Sequence, residues 1–128
     1  MNFEKFTIKS QEAIQKAVEI AQNGGQQAIE TAHLLKGVMQ AGEGVCKFLF
    51  AKLGVNTQVL HQVVDNQIKS YPKVSGGSPF FSNETNKVLT KAMSLSDKGG
   101  NSFVPLEMIL MALLTEKNAV QSMLKNAG

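Results

Sequence analysis

Few residues of this 128-residue chain could carry covalent chemistry. The histidines are His33 and His61, the only thiol is Cys46, and the thirteen basic side chains are all lysine, with no arginine. A serine or cysteine nucleophile needs a histidine to take its proton and an acid to orient that histidine. No nucleophile-elbow motif accompanies either histidine. Zinc needs ligands at tight, regular spacing, and neither histidine stands at such spacing from Cys46 or from the other. A P-loop needs GxxxxGK[ST], so that glycines bare the backbone N–H groups that hold phosphate, and the chain lacks one. His33 is therefore expected to make structural hydrogen bonds. Cys46, beside Val45, Phe48 and Leu49, is expected to be a buried and inert thiol. The expectation is a chain with no catalytic residue, no metal and no cofactor of its own.

Binding is what remains. The net charge of +3 and the pI of 9.1 hint at an anionic partner. The lysines are scattered singly, however, and the bidentate fork that arginine offers to phosphates and guanine edges is missing. Nucleic acid is not expected as a partner. The longest apolar run, Met108 to Leu114, is seven residues, far short of the roughly 20 that cross a bilayer. The first ten residues lack the apolar stretch of a signal peptide. The default is a cytoplasmic protein without membrane contact. A surface that holds unfolded chains needs apolar area and a few polar groups for the peptide backbone. Methionine suits it, because a flexible thioether repacks around varied side chains. The chain has six methionines, among them Met93, Met108 and Met111; Met93 and Met111 read as core filler.

The elements that would position such a surface are helices. Ala13, Ile14, Ala17, Ile20 and Ala21 recur at helical spacing after Thr7, a capping residue, and stop at Gly24-Gly25. Thr31 is expected to cap a second helix bearing Leu34, Leu35, Val38 and Met39, broken by Gly42 and Gly44. A third short helix would bury Val45, Phe48, Leu49 and Leu53. A fourth, from about 56 to 69, carries Val59, Leu60, Val63, Val64 and Ile68. Residues 71–81, YPKVSGGSPFF, hold two prolines and two glycines and read as a surface linker pinned by Tyr71, Val74, Phe80 and Phe81. Ser82 then caps a helix with Val88, Leu89, Ala92 and Leu95, which ends at Gly99-Gly100. Pro105 opens another with Ile109, Leu110, Leu113 and Leu114. The last, 118–126, bears Val120, Met123 and Leu124.

These elements repeat at an offset of 75. Thr7 matches Ser82, Ile14 matches Leu89, Ala17 matches Ala92 and Ile20 matches Leu95. The glycine pairs coincide, Ile29 matches Val104, and Leu34, Leu35 and Val38 match Ile109, Leu110 and Leu113. One residue is lost in the next loop, after which Gly54 matches Gly128. The expected fold is all-α, one domain over 1–128 built of two pseudo-symmetric repeats sharing a core: repeat one 1–70, linker 71–81, repeat two 82–128. The counterpart of the fourth helix is missing from repeat two, which predicts that the chain is a fragment of a longer polypeptide.

A tandem unit carrying FTIKSQEAI, IETAHLLKGV and the YPKVSGG linker resembles the N-terminal domain of the Clp family of ATP-driven unfoldases, over essentially the whole chain. The linker is most similar to that of the ClpB-type disaggregases; the ClpA and ClpC unfoldases, which dock adaptors and substrates for a protease, are the nearest alternative. The resemblance implies a fold of eight helices and a mobile, noncatalytic substrate-docking module. That module would bind apolar segments of misfolded or aggregated polypeptides weakly and pass them to a ring. It also implies a longer homohexameric protein that works with a DnaK-type chaperone, with ATP and Mg in its ATPase modules and a coiled-coil insertion in the first. The isolated domain would be a monomer. By the same resemblance the groove lies between the repeats, its polar rim formed by Thr7, Asn101 and Glu107 and its apolar floor by Leu89, Leu95 and Met108. Thr7 and Glu107 also have local roles, as a helix cap and as an acid in a first helical turn. Asn101 stands where the family usually carries an acid. Charged acceptors make bonds roughly twice as strong as neutral ones, so the asparagine predicts a weaker preference for basic clients. Pro105-Leu106 replaces the usual serine-rich turn before Glu107.

Overall fold

The computed structural model describes residues 2–74 and 76–126. Among them are seven helices: α1 (Ile8–Asn23), α2 (Thr31–Ala41), α3 (Glu43–Lys52), α4 (Thr57–Ser70), α5 (Asn83–Lys98), α6 (Leu106–Thr115) and α7 (Ala119–Asn126). Two short strands, β1 (Ala28–Ile29) and β2 (Phe80–Phe81), pair in parallel, Ala28 with Phe80 and Ile29 with Phe81. The fold is all-α in two pseudo-symmetric repeats. Gly128 and the Leu124 side chain, both used in the sequence reading, lie outside the described residues.

The repeats are bonded to each other through their helix starts. The Thr7 side chain accepts the Ser10 N–H (3.1 Å), and the Thr7 hydroxyl donates to Ser10 Oγ (3.0 Å). The Ser10 hydroxyl and the Thr7 N–H both donate to the Val104 carbonyl, at 2.9 and 3.0 Å. The same circuit recurs 75 residues on. Ser82 Oγ accepts the Thr85 N–H (3.1 Å), and the Ser82 hydroxyl donates to Thr85 Oγ1 (2.9 Å). The Thr85 hydroxyl and the Ser82 N–H donate to the Ile29 carbonyl, at 2.8 and 3.1 Å. Each cap thus satisfies its own helix and also ties it to the strand of the other repeat. The pairing of β1 with β2 has its twin in the Phe6–Val104 bridge. α1 and α5 both end on a glycine pair whose second member, Gly25 or Gly100, takes the left-handed backbone that a side chain disfavours (φ +70° and +75°).

One core runs through both repeats. Leu34, Leu35, Leu89, Ile109, Leu110 and Leu113 are all buried in it, each contributing about 1.5–3 kcal/mol by leaving water. Helices α1 and α2 meet backbone to backbone at Gly37, where a Cβ would run into the Ala13 carbonyl and sit 3.0 Å from the Ala17 nitrogen. Repeat two has Ala112 at the matching place, fully buried.

Several local expectations are corrected. Thr31 is the first residue of α2, buried, and not its cap; Glu30 is the cap, its N–H donating to His33 Nδ1 at 2.9 Å. Gly42 alone ends α2, and Gly44 lies inside α3. α3 turns Cys46 and Phe50 inward and leaves Val45, Phe48 and Leu53 exposed. This short helix has apolar residues at helical spacing on two faces, and only the neighbours decide which is buried. Pro105 precedes α6 as its cap residue. In the 71–81 segment Tyr71 and Phe81 are half-buried, whereas Val74 and Phe80 are exposed and held through the backbone: Val74 N–H to Gly25 O (2.9 Å) and Phe80 N–H to Gln27 O (3.1 Å).

Candidate functional site

The expected rim and floor residues gather at the starts of α1 and α6 and along α5, but in different degrees of exposure. Thr7 is half-buried and its hydroxyl is engaged in the cap. Asn101, in the α5–α6 loop, is exposed; its N–H donates to the Ser96 carbonyl (2.9 Å), and its side chain bonds nothing among the described residues. Glu107 is exposed in the first turn of α6, where the helix dipole favours an acid. Met108 and Leu95 are half-buried against the core. Leu89 is fully buried, so its place is the core and it offers no surface to a groove.

A groove of about 600 Å³ opens at this junction, lined by Lys5, Met93, Ser96, Asp97, Asn101 and Phe103 among others. Of the six expected site residues only Asn101 lines it. Met93, read from the sequence as core filler, is half-buried and lines it too. Phe103 is 56% exposed. A second groove, about 530 Å³, runs along the outer side of α1, with Phe3, Ile8, Ile14, Val18 and Phe81 in its walls. Phe3 stands edge-on to both Phe6 and Phe81, at centroid distances of 5.5 and 5.7 Å. Sequence reasoning missed Lys5, Phe103, Phe3 and Ile8. A signal existed for Ile8, an apolar residue one position after the cap and out of phase with the buried stripe of α1; it is 73% exposed.

His33 and the Cys46 thiol are structural. His33 is fully buried; its Nδ1 accepts the Glu30 N–H and its Nε2 lies 2.7 Å from Gln26 Oε1. Gln26 in turn donates to the Ile68 carbonyl of α4 (2.7 Å), and the Tyr71 ring lies 5.4 Å from the imidazole. An imidazole that accepts through Nδ1 must donate through Nε2, so this network holds it neutral. Burial, with Lys36 nearby, lowers its pKa to about 4. Burial raises Tyr71 to about 12. Cys46 is raised to about 11 by burial, and its thiol points at the Val38 carbonyl (3.7 Å), which leaves it protonated and unreactive. Among the described residues no three His, Cys, Asp or Glu side chains converge as metal ligands, and no helix is long and apolar enough to cross a membrane.

Residues 5–127 match the family described as the Clp repeat (R) N-terminal domain. The whole chain is 59% identical to a stretch of the chaperone protein ClpB of Bacteroides thetaiotaomicron and 48% identical to one of the ClpB of Porphyromonas gingivalis, covering 15% of each. It therefore spans about a seventh of the length of these relatives, 15%. Among solved structures, the N-terminal domain of Hsp104 from Candida albicans superposes with a TM-score of 0.84 at 23% identity, over 98% of this chain and 83% of that one, a likeness of fold. The chain belongs to the Clp repeat N-terminal domain family, and over its full length it matches the N-terminal region of ClpB chaperones.

Proposed function

We propose that this chain is the noncatalytic substrate-docking module of a ClpB-like disaggregase. It holds exposed apolar segments of misfolded or aggregated proteins and delivers them to an ATPase ring elsewhere in a longer, homohexameric cytoplasmic protein that acts with a DnaK-type chaperone. ATP and Mg belong to that ring. The observation that carries the reading is the junction itself, where half-buried Leu95 and Met108 and the exposed Asn101 and Glu107 stand around the α5–α6 turn. Thr7 borders the same seam through Val104. Such a surface pairs apolar area with uncommitted polar groups, which suits a loosened polypeptide better than a compact, charged ligand.

The reading is tested by fluorescence anisotropy with a labelled, reduced and carboxymethylated α-lactalbumin, which stays unfolded. Binding is expected to persist at high salt and to weaken about three- to tenfold in Met108→Ala, the effect of truncating one contact. Binding that vanishes with salt and ignores Met108 contradicts it and assigns the interaction to the lysine-bearing faces.

A further inference from the structure

The chain holds one Asn-Gly step, Asn23-Gly24, and one Asn-Ser step, Asn101-Ser102. Both are prone to the same spontaneous chemistry, in which the backbone nitrogen of the following residue attacks the asparagine side-chain carbonyl and closes a five-membered ring. The following side chain decides how easily that nitrogen approaches. Glycine, with no Cβ, hinders it least, and the small, unbranched serine comes next. By sequence, Asn23 is the faster site.

The fold reverses that order. Asn23 is the last residue of α1. Its nucleophile, the Gly24 N–H, donates to the Ile20 carbonyl at 3.1 Å, and the Gly25 N–H donates to the Gln22 carbonyl at 3.0 Å. The Asn23–Gly24 peptide cannot turn toward the side chain without breaking both bonds and leaving the helical backbone. Asn101 is placed otherwise. Its loop is anchored at two points, Asn101 N–H to Ser96 O (2.9 Å) and Val104 N–H to Lys5 O (2.7 Å). Between these anchors the Ser102 and Phe103 N–H groups bond nothing among the described residues, and Asn101, Ser102 and Phe103 are all exposed. The Asn101 amide is uncommitted as well, so nucleophile and electrophile are both free. The twin position in repeat one is closed to this chemistry. Gln26 is buried, its amide is bonded to the Ile68 carbonyl and to His33, and its longer side chain would have to close a six-membered ring.

We propose that Asn101 is the site at which the folded chain deamidates. A base takes the Ser102 N–H proton, the nitrogen bonds to Asn101 Cγ, and the side-chain amide nitrogen takes up a proton and leaves as ammonia. Water then opens the resulting succinimide. Cleavage of the Cγ–N bond gives aspartate. Cleavage of the bond between that nitrogen and the Asn101 backbone carbonyl gives isoaspartate, with Ser102 attached through the former side chain. Ammonia is exchanged for water, and nothing is oxidised or reduced. Either product puts a carboxylate into the groove that Lys5 and Asp97 also line, and takes one unit from the net charge of +3. Isoaspartate also adds a methylene to the backbone between the two anchors.

The test incubates the 128-residue chain in warm, mildly alkaline buffer, with and without guanidinium chloride, and follows each asparagine by peptide mapping and mass spectrometry. In denaturant Asn23 is expected to lead. In buffer Asn23 is expected to slow on the order of thirtyfold, the effect of having to open two hydrogen bonds of ordinary strength. Asn101, in an exposed loop with no bond to break, is expected to stay within about threefold of its unfolded rate and so to lead. Ser102→Val, a surface change that loses no hydrogen bond, is expected to keep the parent's melting temperature. It should slow Asn101 about tenfold, because a branched side chain crowds its own nitrogen, and leave Asn23 unchanged. Asn23 leading in the folded chain, folding protecting Asn101 as strongly as Asn23, or Ser102→Val leaving the Asn101 rate as it was would each overturn the assignment.

Discussion

The chain makes the same corner twice, where α1 leads into β1 and α2 and where α5 leads into α6. The backbones agree closely: Gln26 N–H donates to Ala21 O at 2.8 Å, Asn101 N–H to Ser96 O at 2.9 Å. The side chains part company. In repeat one, Gln26, His33, Tyr71 and the Ile68 carbonyl close into a buried network, with α4 supplying the outer wall. At the matching positions repeat two has Asn101 and Met108, one exposed and one half-buried, and the Asn101 side chain makes no hydrogen bond among the described residues. One corner spends its polar groups on holding the fold together. The other leaves them uncommitted. Duplication gives a fold a second copy of each position, and the docking function proposed above falls on the copy that lacks the buried network.

The comparison can be broken hardest at the helix crossings. Gly37→Ala drives a methyl into the α1 backbone and is expected to cost upwards of about 2 kcal/mol, since packed backbone cannot yield as a side chain can. Ala112→Gly, the reverse change at the twin position, is expected to cost about 1 kcal/mol through helix propensity. Thermal or urea unfolding reads both. Equal costs would mean that the two crossings are interchangeable.

Next comes the sealed corner. His33→Met installs the side chain of repeat two and leaves Gln26 Oε1 and the Glu30 N–H without a partner, at an expected cost of about 2–3 kcal/mol in urea unfolding. The parent also carries a pH signature that this variant lacks. His33 titrates near 4 when folded and near 6.5 when unfolded, so between those values the unfolded chain binds the extra proton. Stability therefore falls as the pH drops from 6.5 to 4, by on the order of 2–3 kcal/mol from this group. The difference between the parent and variant stability curves should shrink across that window. A constant difference would show that the imidazole does not titrate as placed.

The smallest effect belongs to the open corner. Asn101→Asp places a negative charge at this corner and is expected to raise affinity for lysine-rich client peptides a few-fold with unchanged stability. Isothermal titration with a lysine-rich and a neutral peptide checks it. A change that is equal for both peptides would remove any role for charge at this position.

Much of this was legible in the sequence because it lies in local chemistry. Thr7, Ser82 and the glycine pairs are caps and stops set by their own neighbours, and the buried stripes of α1 and α5 follow from spacing. The α3 face was misread because Val45 and Phe48 are spaced as regularly as Cys46 and Phe50, and only packing against α2 chooses between them. The β1–β2 pair joins residues far apart in the chain and two residues long, which leaves no periodicity to find. Leu89 illustrates the limit at the site. Its place on the apolar stripe was evident, but whether that stripe faces a groove or the core depends on what α6 places over it.

The central claim is that binding falls on one corner and not on its twin. Amide hydrogen exchange, measured with and without unfolded α-lactalbumin, reads both corners in one experiment. The account predicts added protection across residues 96–108 and none across 21–33. Equal protection at both corners, or protection confined to 21–33, would contradict it.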